Sequence, residues 1–304
     1  MNFMNLATIL TGNALEAMTP LLFAAMGGLF TELSGALSIA LEGYMMLGAF
    51  VGIVAAASLH SVIAGLCLAA FVSATLAWVS AKATLGLKAN IFITGLGTNL
   101  LVAGLLPVLS QHFFGTKSVL SFTLPTLMHP FSRTMAAVPF LGQAFFSHSV
   151  LVYVSWLTVL AAWVVLYKTP VGRRIRACGS QPEALRDIGR KPENYQIVAA
   201  VVAGASSGAA GACLSLPLSA YVPNISSGRG WIALVAIYLG SRRPGRIMLA
   251  CFIFALAEGF SNYAQGFLQV PSEFVLAIPY AASLVALILG SLSRRRQGDW
   301  KDLH

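Results

Sequence analysis

Glu42 and Glu258 are carboxylates set inside apolar runs, and Asn99, Asn262 and Gln265 are amides in comparable places. A carboxylate deep in hydrocarbon costs several kcal/mol unless it is protonated, hydrogen-bonded or turned toward a water-filled cavity. Such a residue can relay protons, contact a transported solute, or brace neighbouring helices by accepting hydrogen bonds. Two separated acids make a thin relay, so bracing and solute contact stand as the two readings of Glu42 and Glu258. Nothing points to catalysis. There is no G-x-x-x-x-G-K-[ST] loop, because in "GTKS" (Gly115–Ser118) the lysine follows threonine, and neither H-E-x-x-H nor G-x-S-x-G occurs. His60, His112, His129 and His148 lack metal-ligand spacing. Cys67, Cys178, Cys213 and Cys251 form no C-x-x-C, so neither a metal site nor a disulfide is expected.

The elements that hold those residues are written in the composition. Of 304 residues, 57% are hydrophobic and 10% charged, with a mean hydropathy of +0.79. A soluble domain would carry about 25% charged residues. Apolar runs fall at roughly 14–30, 35–57, 61–81, 89–110, 149–167, 195–216, 230–241, 247–267 and 273–290. Each membrane crossing needs about 20 apolar residues, and the backbone must satisfy its own hydrogen bonds in lipid. The expectation is an all-α, polytopic helical bundle of about nine transmembrane segments (eight to ten), forming one membrane domain over 1–304.

The net charge of +9 is clustered rather than spread. Seven of the 19 basic residues lie from Lys168 to Lys191, followed by Arg242, Arg243 and Arg246, then Arg294, Arg295, Arg296 and Lys301. Clusters in short loops between apolar runs mark the cytoplasmic side, and they argue against nucleic acid as a partner. Residues 168–194, 241–246 and the tail 291–304 are thus expected inside, and 111–148 and 217–229 outside. The start, "MNFMNLATILTG", has no basic n-region, so no cleavable signal peptide is expected.

One run is short. "WIALVAIYLG" (Trp231–Gly240) reaches only about 15 Å as a helix, half of the hydrocarbon thickness. It is either completed by the preceding "AYVPNISSGRG", tilted, or a half-helix. It also echoes an earlier stretch, because "SGALSIAL" (Ser34–Leu41) and "SGRGWIAL" (Ser227–Leu234) share five of eight positions. In the topology above the two copies start on opposite sides, the pattern of an inverted repeat. Val235 matches Glu42, so the two copies are not chemically equivalent. In "AGASSGAAGA" (Ala203–Ala212), Gly204, Gly208 and Ala212 share one helical face and let another helix approach closely.

The basic loop "KTPVGRRIRACGSQPEALRDIGRKPENY" (Lys168–Tyr195) opens on a Pro-Gly break and a basic stretch. Pro182 and Glu183 suit the first turn of a helix, and Gly189 suits its stop. Ala184, Leu185 and Ile188 make a small apolar stripe. Two turns are unstable alone. They need either a packing partner or an anionic lipid surface.

Four ordered stretches carry a family resemblance: Thr19–Phe50 around "SGALSIALEGYMMLGAF", "ITGLGTNLL" (Ile93–Leu101), "TPVGRRIRACGSQPEALRDIG" (Thr169–Gly189) and "SSGRGWIALVAIYLGSRRPGR" (Ser226–Arg246). The chain resembles the permease subunits of bacterial ABC importers for nucleosides and simple sugars, those served by basic-membrane-protein-type lipoproteins. It is similar to the shorter of the two paralogous permeases. It departs from the usual motif at Leu33 (Arg), Ser38 (Asn) and Ala40 (Gly).

The resemblance implies a multi-pass protein of the bacterial inner membrane with a cytoplasmic C-terminus. It implies a second permease, an ATP-binding subunit and an extracytoplasmic substrate-binding lipoprotein as partners, with ATP on the partner and no cofactor on this chain. It also implies that Pro182, Glu183, Ala184, Leu185, Ile188 and Gly189 form the coupling helix that docks on the ATPase. A nucleoside, purine favoured, or a simple sugar is the implied solute. Ser38, Glu42, Asn99 and Trp231 are the candidate residues of its path. Two rivals stand: a branched-chain amino-acid ABC permease, and a proton-coupled secondary transporter using Glu42 and Glu258. A zwitterionic amino acid needs partners of both signs, and the apolar runs supply acids but no base.

Overall fold

The computed structural model describes residues 3–125 and 148–265. Among these are α1 (Phe3–Leu33), α2 (Leu41–Leu59), α3 (Val62–Gly86), α4 (Ile91–Phe114), α5 (Val150–Lys168), α6 (Pro170–Ser180), α7 (Pro182–Asp187), α8 (Pro192–Leu218), α9 (Arg229–Leu239) and α10 (Pro244–Gln265). A two-residue antiparallel ladder joins β1 (Leu120–Ser121) to β2 (Ala220–Tyr221). Six of these helices are long and apolar enough to cross a membrane. The expected segment 273–290, the tail 291–304 and most of the outer stretch 111–148 lie outside the described residues.

Burial is inverted relative to a soluble protein. Helices α1, α2 and α8 form the interior, and the outer faces of α3, α4 and α5 are exposed and apolar. Leu100 is 73% exposed, Phe71 68% and Phe92 61%. Lipid, which does not penalise such surface, is the solvent these faces fit.

Two boundaries depart from the sequence expectation. The second apolar run does not become helical near residue 35. Gly35 takes a left-handed φ of +76°, and a Cβ there would lie 3.0 Å from the Gly179 Cα of α6. Residues 34–40 stay irregular and α2 begins at Leu41. The Pro-Gly expected as a break after Lys168 instead opens the helix α6, which carries the basic stretch. Thr169 is its N-cap, accepting from the Gly172 N–H at 3.2 Å, and Pro170 occupies the first turn. Pro at that position promotes a helix because its missing N–H has no partner to lose. The β1–β2 ladder is a small departure from an all-α fold.

The predicted small-residue face on α8 is a close-packing surface. A Cβ on Gly204 would lie 2.6 Å from the Ser73 carbonyl of α3, and one on Gly208 would lie 2.5 Å from the Ala69 carbonyl. A Cβ on Gly48 of α2 would overlap the Gly208 carbonyl. Hydroxyls tie the same three helices: Ser73 donates to the Tyr44 carbonyl at 3.1 Å and Ser215 to the Ala49 carbonyl at 2.8 Å. Lipid gives apolar helices little reason to associate, so close backbone approach and such bonds carry the packing. Gly48→Val should force α2 from α8 and cost about 3 kcal/mol. Thermal unfolding of the purified protein in detergent would show the drop; an unchanged midpoint would refute the contact.

Candidate functional site

Glu42 is 7% exposed and sits in the first turn of α2. Its carboxylate accepts three hydrogen bonds from one place. The Ser226 hydroxyl donates to Oε1 at 2.5 Å, the Gly228 N–H to Oε1 at 2.8 Å and the Gly230 N–H to Oε2 at 2.7 Å. These donors surround the N-terminus of α9, where unsatisfied N–H groups and the positive end of the helix dipole favour an anion. Gly230 admits the contact, since a Cβ there would lie 2.7 Å from the Glu42 Cα. Glu42 is therefore the cap of α9, supplied by α2.

That cap explains the short run. α9 is a half-helix of 11 residues. The preceding residues do not extend it; they turn, with Gly228 at φ +80°. Gly35 and Gly228, which match in the eight-residue echo, share the left-handed backbone. The likeness ends there, because helix follows at once in the second copy and only at Leu41 in the first.

Asn99 holds the other break. Its Oδ1 accepts from the Gly43 N–H at 2.8 Å and its Nδ2 donates to the Ile39 carbonyl at 3.1 Å, so α4 caps α2. Ser38 lies in the irregular segment, its N–H on Thr31 Oγ1 at 3.3 Å, and lines a cavity of about 50 Å3. Ser80, Thr84, Thr94 and Gln196 also line this cavity. It has room for water and none for a sugar ring. Trp231 is 40% exposed and lines none of the cavities described here. Of the four candidates for the solute path, Glu42 and Asn99 brace helix starts, Ser38 lines a small hydroxyl-lined space, and Trp231 is partly exposed.

A larger cavity of about 770 Å3 lies between α1, α5 and the C-terminal end of α8. Arg229, Glu16 and Thr19 line it with apolar residues such as Leu151 and Leu214. Arg229 corrects the expectation that no base accompanies the acids. It pairs with Glu258 of α10, with both side chains mostly buried. The sequence signal existed, a lone Arg in "SSGRGW", but it read as part of an outer turn. Glu42 on α9 and Glu258 on Arg229 are thus both engaged, which does not favour a proton relay through them. Glu16 Oε1, on the cavity wall, lies 3.2 Å from His148 Nδ1. The side chains of Asn262 and Gln265 lie outside the described residues.

At the other end of α8 sits α7. Leu185 is its one buried side chain, while Pro182, Glu183, Ala184, Ile188 and Gly189 are exposed. Gly189, at φ +72°, ends the helix: its N–H donates to the Arg186 carbonyl at 2.9 Å and the Arg190 N–H reaches the Leu185 carbonyl at 2.9 Å. This is the paired-bond stop expected of a C-terminal glycine. The supporting helix α6 is wedged against the α1–α2 turn, and Gln196 of α8 donates to the Ser34 carbonyl at 3.3 Å. Nearby, Glu32 pairs with Arg242 at 2.6 Å and accepts from the Tyr238 hydroxyl at 3.0 Å. Burial pushes the Cys178 thiol of α6 up from its ordinary pKa, which suits packing rather than reactivity.

Residues 10–289 match the family described as the branched-chain amino acid transport system permease component. The putative glucose ABC transporter permease TsgC13 of Haloferax volcanii is 32% identical over 268 residues, 86% of this chain and 79% of that one. The nucleoside ABC transporter permease NupC of Lactococcus lactis is 28% identical over 306 residues, covering 95% and 94%. The guanosine ABC transporter permease NupQ of Bacillus subtilis is 27% identical over 308 residues, covering 94% and 93%. No solved structure matches the chain. With six helices among the described residues long and apolar enough to cross a membrane, the chain belongs to the family of branched-chain amino acid transport system permease components and is a multi-pass transporter subunit, not an enzyme.

Proposed function

We propose that the chain is the permease subunit of an ATP-driven importer that carries a nucleoside, purine favoured, or a simple sugar across a bacterial inner membrane. The observation that carries this is similarity along almost the whole chain to permeases named for nucleosides, guanosine and glucose. The outer cavity supports it. Its size suits a small solute, and its arginine is already paired with Glu258, which leaves no unpaired cation among the described lining residues to hold an amino-acid carboxylate.

In this reading α7 faces the cytoplasm and docks on a separate ATP-binding subunit through Glu183, Ala184 and Ile188, with Pro182 and Gly189 setting its ends and Leu185 anchoring it. ATP stays on that partner. A paralogous permease completes the pore and an extracytoplasmic lipoprotein delivers solute at the opposite end. α8, of 27 residues and so about 40 Å long, separates α7 from the large cavity, which fits opposite faces of one bilayer. The 168–194 segment and the C-terminus are then cytoplasmic.

The test is uptake of labelled nucleosides, pentoses, hexoses and leucine in cells with and without this chain, with the ATP-binding subunit intact or inactivated. Nucleoside or sugar uptake that needs both is expected. A change in leucine uptake alone, or uptake that survives loss of the ATPase, would overturn the reading.

A further inference from the structure

Arg229 occupies the first position of α9 and lines the 770 Å3 cavity. Its guanidinium is only partly engaged. Nη1 donates to the Ile225 carbonyl at 3.1 Å and Nη2 donates to Glu258, while Nε is buried without a hydrogen-bond partner among the described residues. A guanidinium presents five N–H donors in a fixed planar fork, so these two bonds leave donors over. Nε is sealed from the cavity, so the second N–H groups of Nη1 and Nη2 are the donors left for an oxygen brought by a solute. The chemistry of that oxygen is constrained. Glu258 balances the charge, which removes the pull on an anion, and the arginine cannot act as an acceptor. The remaining walls are largely aliphatic, with hydroxyls at Thr19, Ser149 and Ser219 and one carboxylate, Glu16, near His148. Apolar walls with a few placed polar groups are the pattern of a site for a neutral ring bearing hydroxyls.

We propose that Arg229 reads the solute in this cavity, donating hydrogen bonds to the hydroxyl oxygens of a neutral polyhydroxylated ring. The inference rests on the nucleoside-or-sugar reading and assigns its specificity to one residue. Glu258 is the positioning residue, holding the fork in place and its charge balanced without touching the solute.

The experiment uses the complete importer in cells, at saturating solute so that the binding lipoprotein is fully loaded in every arm. Guanosine is compared with 2′,3′-dideoxyguanosine, and glucose with 2-deoxyglucose, in wild type, Arg229→Gln, Arg229→Lys and Glu258→Gln. The wild type should carry the hydroxylated member faster. Arg229→Gln and Arg229→Lys should each shrink that preference about tenfold, the factor for one lost hydrogen bond to a charged group. Glu258→Gln should slow uptake of both members while keeping the preference within about twofold. Arg229→Lys retains the charge facing Glu258 but loses the fork, so it serves if Arg229→Gln fails to accumulate in the membrane. An unchanged preference in the accumulating arginine variant overturns the inference, as does an equal collapse in Glu258→Gln. A wild type that carries neither pair overturns the underlying nucleoside-or-sugar reading instead, a result visible before any variant is made.

Discussion

Glu42→Ala is expected to lower the stability of the protein by about 3–5 kcal/mol and to abolish transport. The variant leaves the Ser226 hydroxyl and the Gly228 and Gly230 N–H groups without an acceptor, and each buried orphan costs about 1–3 kcal/mol. It also removes an anion from the N-terminus of α9. Glu42→Gln separates hydrogen bonding from charge. With its oxygen toward Ser226 and Gly228 the glutamine keeps two of the bonds, but its NH2 then faces the Gly230 N–H, donor against donor. About half of the loss should return. Thermal unfolding in detergent and solute uptake, measured side by side, check the order wild type, Gln, Ala. An alanine variant that melts and transports like wild type would show that Glu42 does not hold α9.

Much of this arrangement was legible in the residues, and most of the missing part has one physical cause. An acid in an apolar run had to be satisfied by something, so Glu42 was readable as an anchor. Its partners were not, because Ser226, Gly228 and Gly230 lie 184, 186 and 188 residues away and no local pattern encodes contacts at that range. The same holds for Arg229: a turn-like "SSGRG" hides an arginine whose depth is set by Glu258 on another helix. Asn99 was legible as a polar residue at membrane depth, but its role as the cap of α2 depends on the break at Gly35. Hydropathy runs unbroken through that break. The backbone turns there because α6 presses on it at Gly179, a tertiary cause. Local signals did better where local physics decides. Gly189 ends α7 by its own φ, and the glycines of α8 mark close packing wherever they fall. The error at Thr169–Pro170 was of the opposite kind, since the capping signal was present and was read as a break.

The same glycine supplies the second large effect. A Cβ built on Gly189 meets nothing within 4 Å, so the first atom of a Gly189→Trp side chain enters open space. Its intrinsic penalty is the left-handed backbone, about 1–2 kcal/mol, too little to unfold a bundle anchored by α1, α2 and α8. The indole would instead project from the exposed end of α7, into whatever docks there. Ala184→Asp adds a charge to the same exposed face without altering the backbone. Both variants should therefore reach the membrane at wild-type levels and still lose solute uptake by tenfold or more, with ATP hydrolysis by the assembled importer no longer responding to loaded lipoprotein. Leu185→Ala is the contrast: it removes the one buried side chain of α7, so the helix itself should loosen and protein levels fall with transport. Membrane abundance, ATPase rate with and without lipoprotein, and uptake in the same cells distinguish the two outcomes. Wild-type uptake by Gly189→Trp would mean that α7 is not where the ATPase couples.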